Sequence, residues 1–357
     1  IRGAIGLFCS LHQEPSGVWI MSYTNGLDNP ELHFQAKIYT GDGNSNQVIT
    51  FDGSENMKPD WVWIKIRNSA HQHTLIDSTR GANKALLSND DAAEDTDDQY
   101  GWLSSFNTDG FTTQDGSASD HWNVNKSGNT YVSWNWKANG GTTSSNSNGS
   151  ITSTVQANTT AGFSIVSYAG TGSNATVGHG LGSVPSSFIT KSRDTGSEGW
   201  MVYHASLGAT KGIRLNENST SATVSTYFND TAPTSSVFSI GTNDVVNKSG
   251  DNYIAYVFAE KKGYSKFGSY TGNGSSDGTF INLGFRPAWV LYKNTTTADS
   301  WFLHDNKRQG FNDDNELLFA DLSNAESTVN RIRILSNGFK AIDSDKGVNK
   351  SGDTYIY

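Results

Sequence analysis

Several groups of residues in this sequence have the types and spacing to do chemistry, and each points to a different kind. His71 and His73 would place two imidazoles on one face of a strand, as a metal-binding pair needs. The run Asp90-Asp91-Ala92-Ala93-Glu94-Asp95-Thr96-Asp97-Asp98 is dense enough in carboxylates to chelate Ca²⁺, a hard cation that takes roughly six to eight oxygens. Asp90, Asp91, Glu94 and Asp95 are its candidate ligands. It lacks the spacing and bracing glycine of an EF-hand loop, so a solvated acidic loop is the competing reading. Trp102, Trp122 and Trp301 fall in or beside loops, where an indole can stack on a sugar ring or else pack into a core.

Other patterns point away from catalysis. Gly178-His179-Gly180-Leu181-Gly182 has the glycine density of a phosphate loop, but no helix pattern follows and Pro185 intervenes, so it reads as a turn. None of the eight histidines belongs to an H-E-x-x-H pair. A glycan-cleaving site would need paired carboxylates about 5 to 10 Å apart in a groove. Asp77 and Asp305 stand at equivalent places with His204 between them in the series, and no second repeating carboxylate is evident.

The elements that position these residues come from an internal repeat. V-N-K-S-G occurs at Val124–Gly128, Val246–Gly250 and Val348–Gly352, followed each time by a tyrosine and a β-branched residue: Tyr131-Val132, Tyr253-Ile254 and Tyr355-Ile356. Upstream of each lies a second landmark, Tyr39-Thr40-Gly41-Asp42-Gly43, Tyr168-Ala169-Gly170-Thr171-Gly172 or Tyr270-Thr271-Gly272-Asn273-Gly274. The landmark tyrosine and the Asn of N-K-S-G are 86, 79 and 79 positions apart in the three copies. Between them lies a strand after Pro59, Pro185 or Pro287 that reaches Lys65, Lys191 or Lys293, then the segments beginning at Asp77, His204 and Asp305. These landmarks keep one order, which establishes tandem duplication. In each N-K-S-G-x-x-Y the asparagine and glycine (Asn125 and Gly128, Asn247 and Gly250, Asn349 and Gly352) are expected to supply a positive-φ turn into a closing strand. Tyr131, Tyr253 and Tyr355 would be the first core anchors of those strands.

The repeats divide the 357 residues into an N-terminal extension over 1–33, modules over 34–139, 161–262 and 263–357, and a Gly/Ser/Thr/Asn-rich linker over 140–160. The third copy stops at Tyr357, inside the strand that continues as Ala255-Tyr256-Val257-Phe258 in the second, so the chain is expected to extend further. Aromatic residues at 11% exclude disorder, although charged residues are only 17%. Short bursts of Thr, Val, Ile and aromatics between Gly and Asn predict an all-β fold. The expected architecture is three tandem antiparallel β-sandwiches of the jelly-roll or lectin-like kind. A net charge of −9 disfavours nucleic acid, no apolar run approaches the ~20 residues of a membrane helix, and a single cysteine allows no intrachain disulfide.

Tyr131–Lys137, Thr159–Tyr168, Tyr253–Gly263 and Leu335–Lys340 resemble the tandem β-sandwich repeats in virion proteins of marine tailed bacteriophages, described as tail-fibre-like or lectin-like. The resemblance covers about Phe34 to Tyr357. It implies a noncatalytic structural or adhesion protein on a virus particle, present in several copies and assembled in the host cytoplasm. Its partners would be other virion proteins or a host-surface glycan, and it would need no cofactor beyond an optional Ca²⁺. Head decoration or a collar without a ligand is the alternative within this setting, and a tail depolymerase is the enzymatic one.

Overall fold

The computed structural model describes residues 25–97, 99–118, 123–308 and 316–357, and the backbone of an antiparallel strand pair at Cys9–Gln13 and Trp19–Tyr23. The chain is all-β, and every pairing between its strands is antiparallel. Module 1 contains β1 (Phe34–Thr40), β2 (Gln47–Ile49), β3 (Trp61–Ile66), β4 (His73–Asp77), β5 (Trp102–Phe106), β6 (Phe111–Gln114) and β7 (Thr130–Trp136). Its sheet β1-β7-β3-β4 packs on a second sheet, β2-β6-β5.

Module 2 repeats this plan with β8 (Ser144–Asn146), β9 (Ser153–Asn158), β10 (Phe163–Ala169), β11 (Ala175–Gly178), β12 (Ser187–Ser192), β13 (Met201–His204), β14 (Lys211–Arg214), β15 (Val237–Ile240) and β16 (Asn252–Phe258). Its large sheet runs β8-β9-β10-β16-β12-β13-β14, extended by Ala222–Thr223, and covers the pair β11-β15. Module 3 has β17 (Ser269–Thr271), β18 (Phe280–Asn282), β19 (Trp289–Asn294), β20 (Trp301–Asp305), β21 (Leu318–Phe319), β22 (Ile332–Leu335), β23 (Gly338–Ala341) and β24 (Thr354–Ile356). They form the sheets β17-β24-β19-β20-β21 and β18-β23-β22.

Residues 140–160 are therefore not a linker. Ser144–Asn146 and Ser153–Asn158 are β8 and β9, hydrogen-bonded in register onto β10, so the polar composition marks edge strands of module 2. Polar residues suit an edge whose outer face meets water.

The two most regular landmarks turn out to be one structure. Asn125, Asn247 and Asn349 are fully buried, and their side-chain oxygens accept the backbone N–H of Asp42 (2.8 Å), Thr171 (2.7 Å) and Asn273 (2.9 Å). Their amides donate to the carbonyls of Asn44, Ser173 and Ser275. The asparagines are thus clamps across the sandwich rather than positive-φ residues; the left-handed conformation is taken by Gly128, Gly250 and Gly352 alone (φ 75°, 91° and 81°). Each closing tyrosine accepts the backbone N–H of Lys126, Lys248 or Lys350 and stacks on Tyr39, Tyr168 or Tyr270, with centroids 5.1, 5.2 and 4.8 Å apart. The first glycine of the upstream landmark is required by the closeness of this approach. A Cβ on Gly41, Gly170 or Gly272 would lie 2.4, 2.1 or 2.2 Å from the lysine carbonyl of N-K-S-G.

Each sandwich has its own core: Ile64, Phe111 and Tyr131 in the first, Phe188, Phe238 and Tyr253 in the second, and Tyr292, Phe339 and Tyr355 in the third. A fourth apolar cluster draws on all three, with Trp61, Trp63, Trp134 and Trp136 packed against Ile165, Ile189, Trp200, Tyr256, Trp301, Leu303 and Ile356. The large sheets thus bury both faces. That is why β3 reads Trp-Val-Trp-Ile-Lys-Ile without alternation and is buried at every position. A Gly170→Ala change should cost more than about 2 kcal/mol in urea unfolding, whereas Ser173→Ala, exposed three residues on, should stay within about 0.5 kcal/mol.

Candidate functional site

The functional features gather where the three modules meet, and the repeat explains how. His73, Trp200 and Trp301 occupy equivalent positions, the first residue of β4, the residue just before β13 and the first residue of β20. Each has its backbone N–H accepted by the side chain of Asn89, Asn216 or Asp321, at 2.9 Å in all three. Each then reaches into the next module. Trp200 donates its indole N–H to the Leu87 carbonyl (2.7 Å), Trp301 to that of Arg214 (2.8 Å), and His73 Nε2 lies 2.8 Å from that of Phe319. His73 Nδ1 accepts from the Trp63 indole (2.8 Å), so its proton sits on Nε2 and is donated to Phe319. Module 2 thus contacts module 1, module 3 contacts module 2 and module 1 contacts module 3. The contacts close a ring with pseudo-threefold symmetry.

Charged groups reinforce two of the three seams. Arg80 pairs with Asp77 in its own module and with Glu94 (3.1 Å), and Glu94 also takes a two-pronged bond from Arg193 of module 2, both contacts at 2.9 Å. In the equivalent network Arg308 binds Asp305 (2.6 Å) and Glu326 (3.0 Å), and Glu326 binds Arg67 of module 1 (2.7 Å). Across these seams Asp77 accepts from the Tyr256 hydroxyl (2.8 Å) and Asp305 from the Trp134 indole (2.9 Å). Burial alone would push the Glu94, Asp305 and Glu326 carboxyls up; the neighbouring guanidiniums outweigh it and hold all three below the usual range. At the third seam the corresponding positions are His204, Leu207 and Thr295. There His204 Nε2 meets the Tyr357 carbonyl (3.0 Å) and Lys293 donates to that of Asn218 (3.1 Å).

Lys65, Lys191 and Lys293 are the penultimate residues of the equivalent strands β3, β12 and β19. Each is buried with its ammonium donating to two backbone carbonyls. Burial lowers them to about 7, about 8 and about 8. The lysines were visible in the repeat, but nothing in their spacing signalled this role.

The expected ligand residues are placed differently from their sequence reading. Trp301 is 3% exposed and committed to the intermodule core, because its indole N–H is needed to close the ring. Trp102 is half-buried against the core of module 1, and Trp122 lies outside the described residues. The acidic run does not converge on a cation. Glu94 is bound by arginines, Asp90 accepts from Gln72 and from the Ala92 N–H, Asp95 accepts from the Thr96 N–H, and Asp91 is exposed. Among the described residues no three His, Cys, Asp or Glu side chains form a metal-binding group. His73 cannot pair with His71 on a metal, since both its ring nitrogens are engaged inside the junction. A second repeating carboxylate does exist, Glu94 beside Asp77 and Glu326 beside Asp305, but an arginine separates the members of each pair in a buried seam. Gly274-Ser275-Ser276-Asp277-Gly278 matches a nucleophile-elbow string, yet it forms an exposed turn between β17 and β18 and leads into no helix.

What the junction leaves open is an aromatic cleft of about 360 Å³ to which all three modules contribute. Phe34, Trp61 and Trp136 line it from module 1, His204 and Phe258 from module 2, and Phe267, Trp289 and Tyr357 from module 3. Trp61 stacks on Tyr256 at 4.1 Å and on Trp136 at 4.4 Å. The indole N–H groups of Trp61 and Trp289 are buried and bond nothing among the described residues. Asn, Lys and Glu side chains at Asn306, Lys307 and Glu31 rim the opening. Such a surface can hold a flat or extended group that has an apolar face and carries acceptors for the two indole N–H donors.

The stability of the fold is pH-sensitive with a definite sign. Burial and nearby cations lower His73 well below its ordinary range, His304 to about 3 and His71 to about 4. The unfolded chain therefore binds protons near pH 6.5 that the native state refuses, so this stability is complete above about pH 6.5 and is lost as pH falls toward 3. The depressed carboxylates act in the same direction below about pH 4.5. Asp321 and Glu316, raised to about 6 and about 7, offset part of the loss. Thermal melts should show the unfolding midpoint falling steadily from pH 7 to pH 4.

A family model described as "Domain of unknown function (DUF7483)" matches residues 29–357, so the unit it describes takes in all three modules. No curated protein and no solved structure matches the chain.

Proposed function

The chain belongs to the DUF7483 family, and we propose that it is a noncatalytic structural and adhesion part of a bacteriophage virion. In this reading it serves as an appendage that displays three β-sandwiches as one rigid body to neighbouring virion subunits or a host-surface glycan. The observation that carries the structural half is the closed ring, in which three equivalent side chains, His73, Trp200 and Trp301, each bond the next module's backbone. A ring that closes within one chain holds outward loops in fixed relation, and several weak sites so held gain avidity.

The noncatalytic half is supported by the repeated carboxylates. Asp77, Glu94, Asp305 and Glu326 are all paired with arginines in buried seams, an arrangement suited to assembly. The resemblance of the repeats to marine phage virion proteins supplies the setting. Among the described tryptophans none stands exposed as a sugar-stacking platform, which favours a protein partner over a glycan as the principal contact.

Antibody raised against this chain should decorate intact phage particles at one location in electron micrographs, and host polysaccharide incubated with the protein should keep its chain length. Unlabelled particles together with no binding to host cells would overturn the assignment; shortened polysaccharide would replace it with a depolymerase.

A further inference from the structure

We propose that the seam between modules 3 and 1 is a proton-operated latch, in which Glu316 and Glu326 share one proton while the ring is closed and loosen that seam alone when they lose it. The inference is independent of the virion reading and rests on a charge reversal between two otherwise equivalent seams.

The seam between modules 1 and 2 is built from Asp77, Arg80, Glu94 and Arg193, and the Glu94 backbone N–H donates to the Arg193 carbonyl (2.8 Å). The seam between modules 3 and 1 copies it with Asp305, Arg308, Glu326 and Arg67, down to the Glu326 N–H donating to the Arg67 carbonyl (2.7 Å). A fifth residue differs. Leu75 pairs with Leu86 and its counterpart Leu303 with Leu318, so Lys84 and Glu316, each two residues earlier, occupy the same place. Lys84 lies 3.5 Å from Glu94 as a third cation beside it. Glu316, 6% exposed, instead sets a second carboxyl against Glu326. The first network thus has three cations against two carboxylates, and the second has two against three.

Two carboxylates in contact in a buried site cannot both ionise without cost, so one keeps a proton. Glu326 faces both guanidiniums and stays ionised; Glu316 carries the proton, and burial together with Glu326 raises it from 4.5 to about 7. Among the described residues the other ionisable groups facing the pair are Asp305 and Arg308 of module 3 and Arg67 and Lys65 of module 1. Lys65, lowered to about 7, titrates in the same range, but its counterpart Lys191, at about 8, does so near Asp91 at the other seam. A carboxyl raised in the closed state lends stability that is whole below about pH 4.5 and is lost as pH rises through about 7. The sign is opposite to that of the buried histidines.

The test measures hydrogen exchange by mass spectrometry on the full 357-residue chain at pH 6 and pH 9, corrected for intrinsic rates, in segments holding the Glu326 and Glu94 amides. Protection at Glu326 should fall about tenfold while that at Glu94 holds, as follows from a proton lost near pH 7 rather than 4.5. Glu316→Gln, which removes the titrating group, and Glu316→Lys, which copies module 1, should each abolish the fall. Equal protection at both pH values, parallel falls at the two seams, or a fall that persists in either variant would overturn the proposal.

Discussion

The constraint on which the rest of this structure depends is that three β-sheets must bury both of their faces. One face of each large sheet covers the core of its own sandwich. The other carries Trp61, Trp63, Trp134, Trp200, Trp301 and their neighbours, which no single module can cover. Exposed, that aromatic surface would be an association hazard. Turned toward a common axis it becomes a fourth core, and the three sandwiches close into a ring. Apolar attraction has no direction, so the relative rotation of the modules has to be set by something else. The side chains of His73, Trp200 and Trp301 do this, since each needs one carbonyl of the next module for its ring N–H.

The ion networks fit the same logic. A buried ion pair is weak evidence for net stability, because desolvation offsets most of the Coulombic gain, but breaking one member costs about 3 to 5 kcal/mol. Arg80 and Arg308, with Glu94 and Glu326, therefore act chiefly against misregistered packing at two seams. Where His204, Leu207 and Thr295 replace them, the third seam has hydrogen bonds from Trp301, His204 and Lys293 to backbone carbonyls in place of ion pairs, and the aromatic cleft opens beside it. The departure from symmetry and the aromatic cleft share a location.

The fold was largely legible in the sequence, because its landmarks are turns whose chemistry is local. Glycines at positive φ and buried asparagines repeat in a fixed order, and they mark the closing strand and its partner in all three modules. Reading residues 140–160 as a linker failed because edge strands tolerate the Ser, Thr and Asn that linkers also favour. The choice between a ligand and a core at Trp301 stayed open for a different reason. A residue beside a loop in one module can be interior to the assembly of three, and repeat spacing says nothing about how copies pack. The same gap hid the junction itself. Lys65, Lys191 and Lys293 stand in plain alignment, yet only the neighbouring carbonyls show why a lysine stands near the end of each strand.

If the shared axial core holds the three modules as one unit, they cannot unfold independently. Differential scanning calorimetry of the intact chain measures this directly. A single transition whose calorimetric enthalpy equals its van't Hoff enthalpy is the predicted result. Separate transitions, or a calorimetric enthalpy about three times the van't Hoff value, would show three autonomous sandwiches and contradict the closed ring.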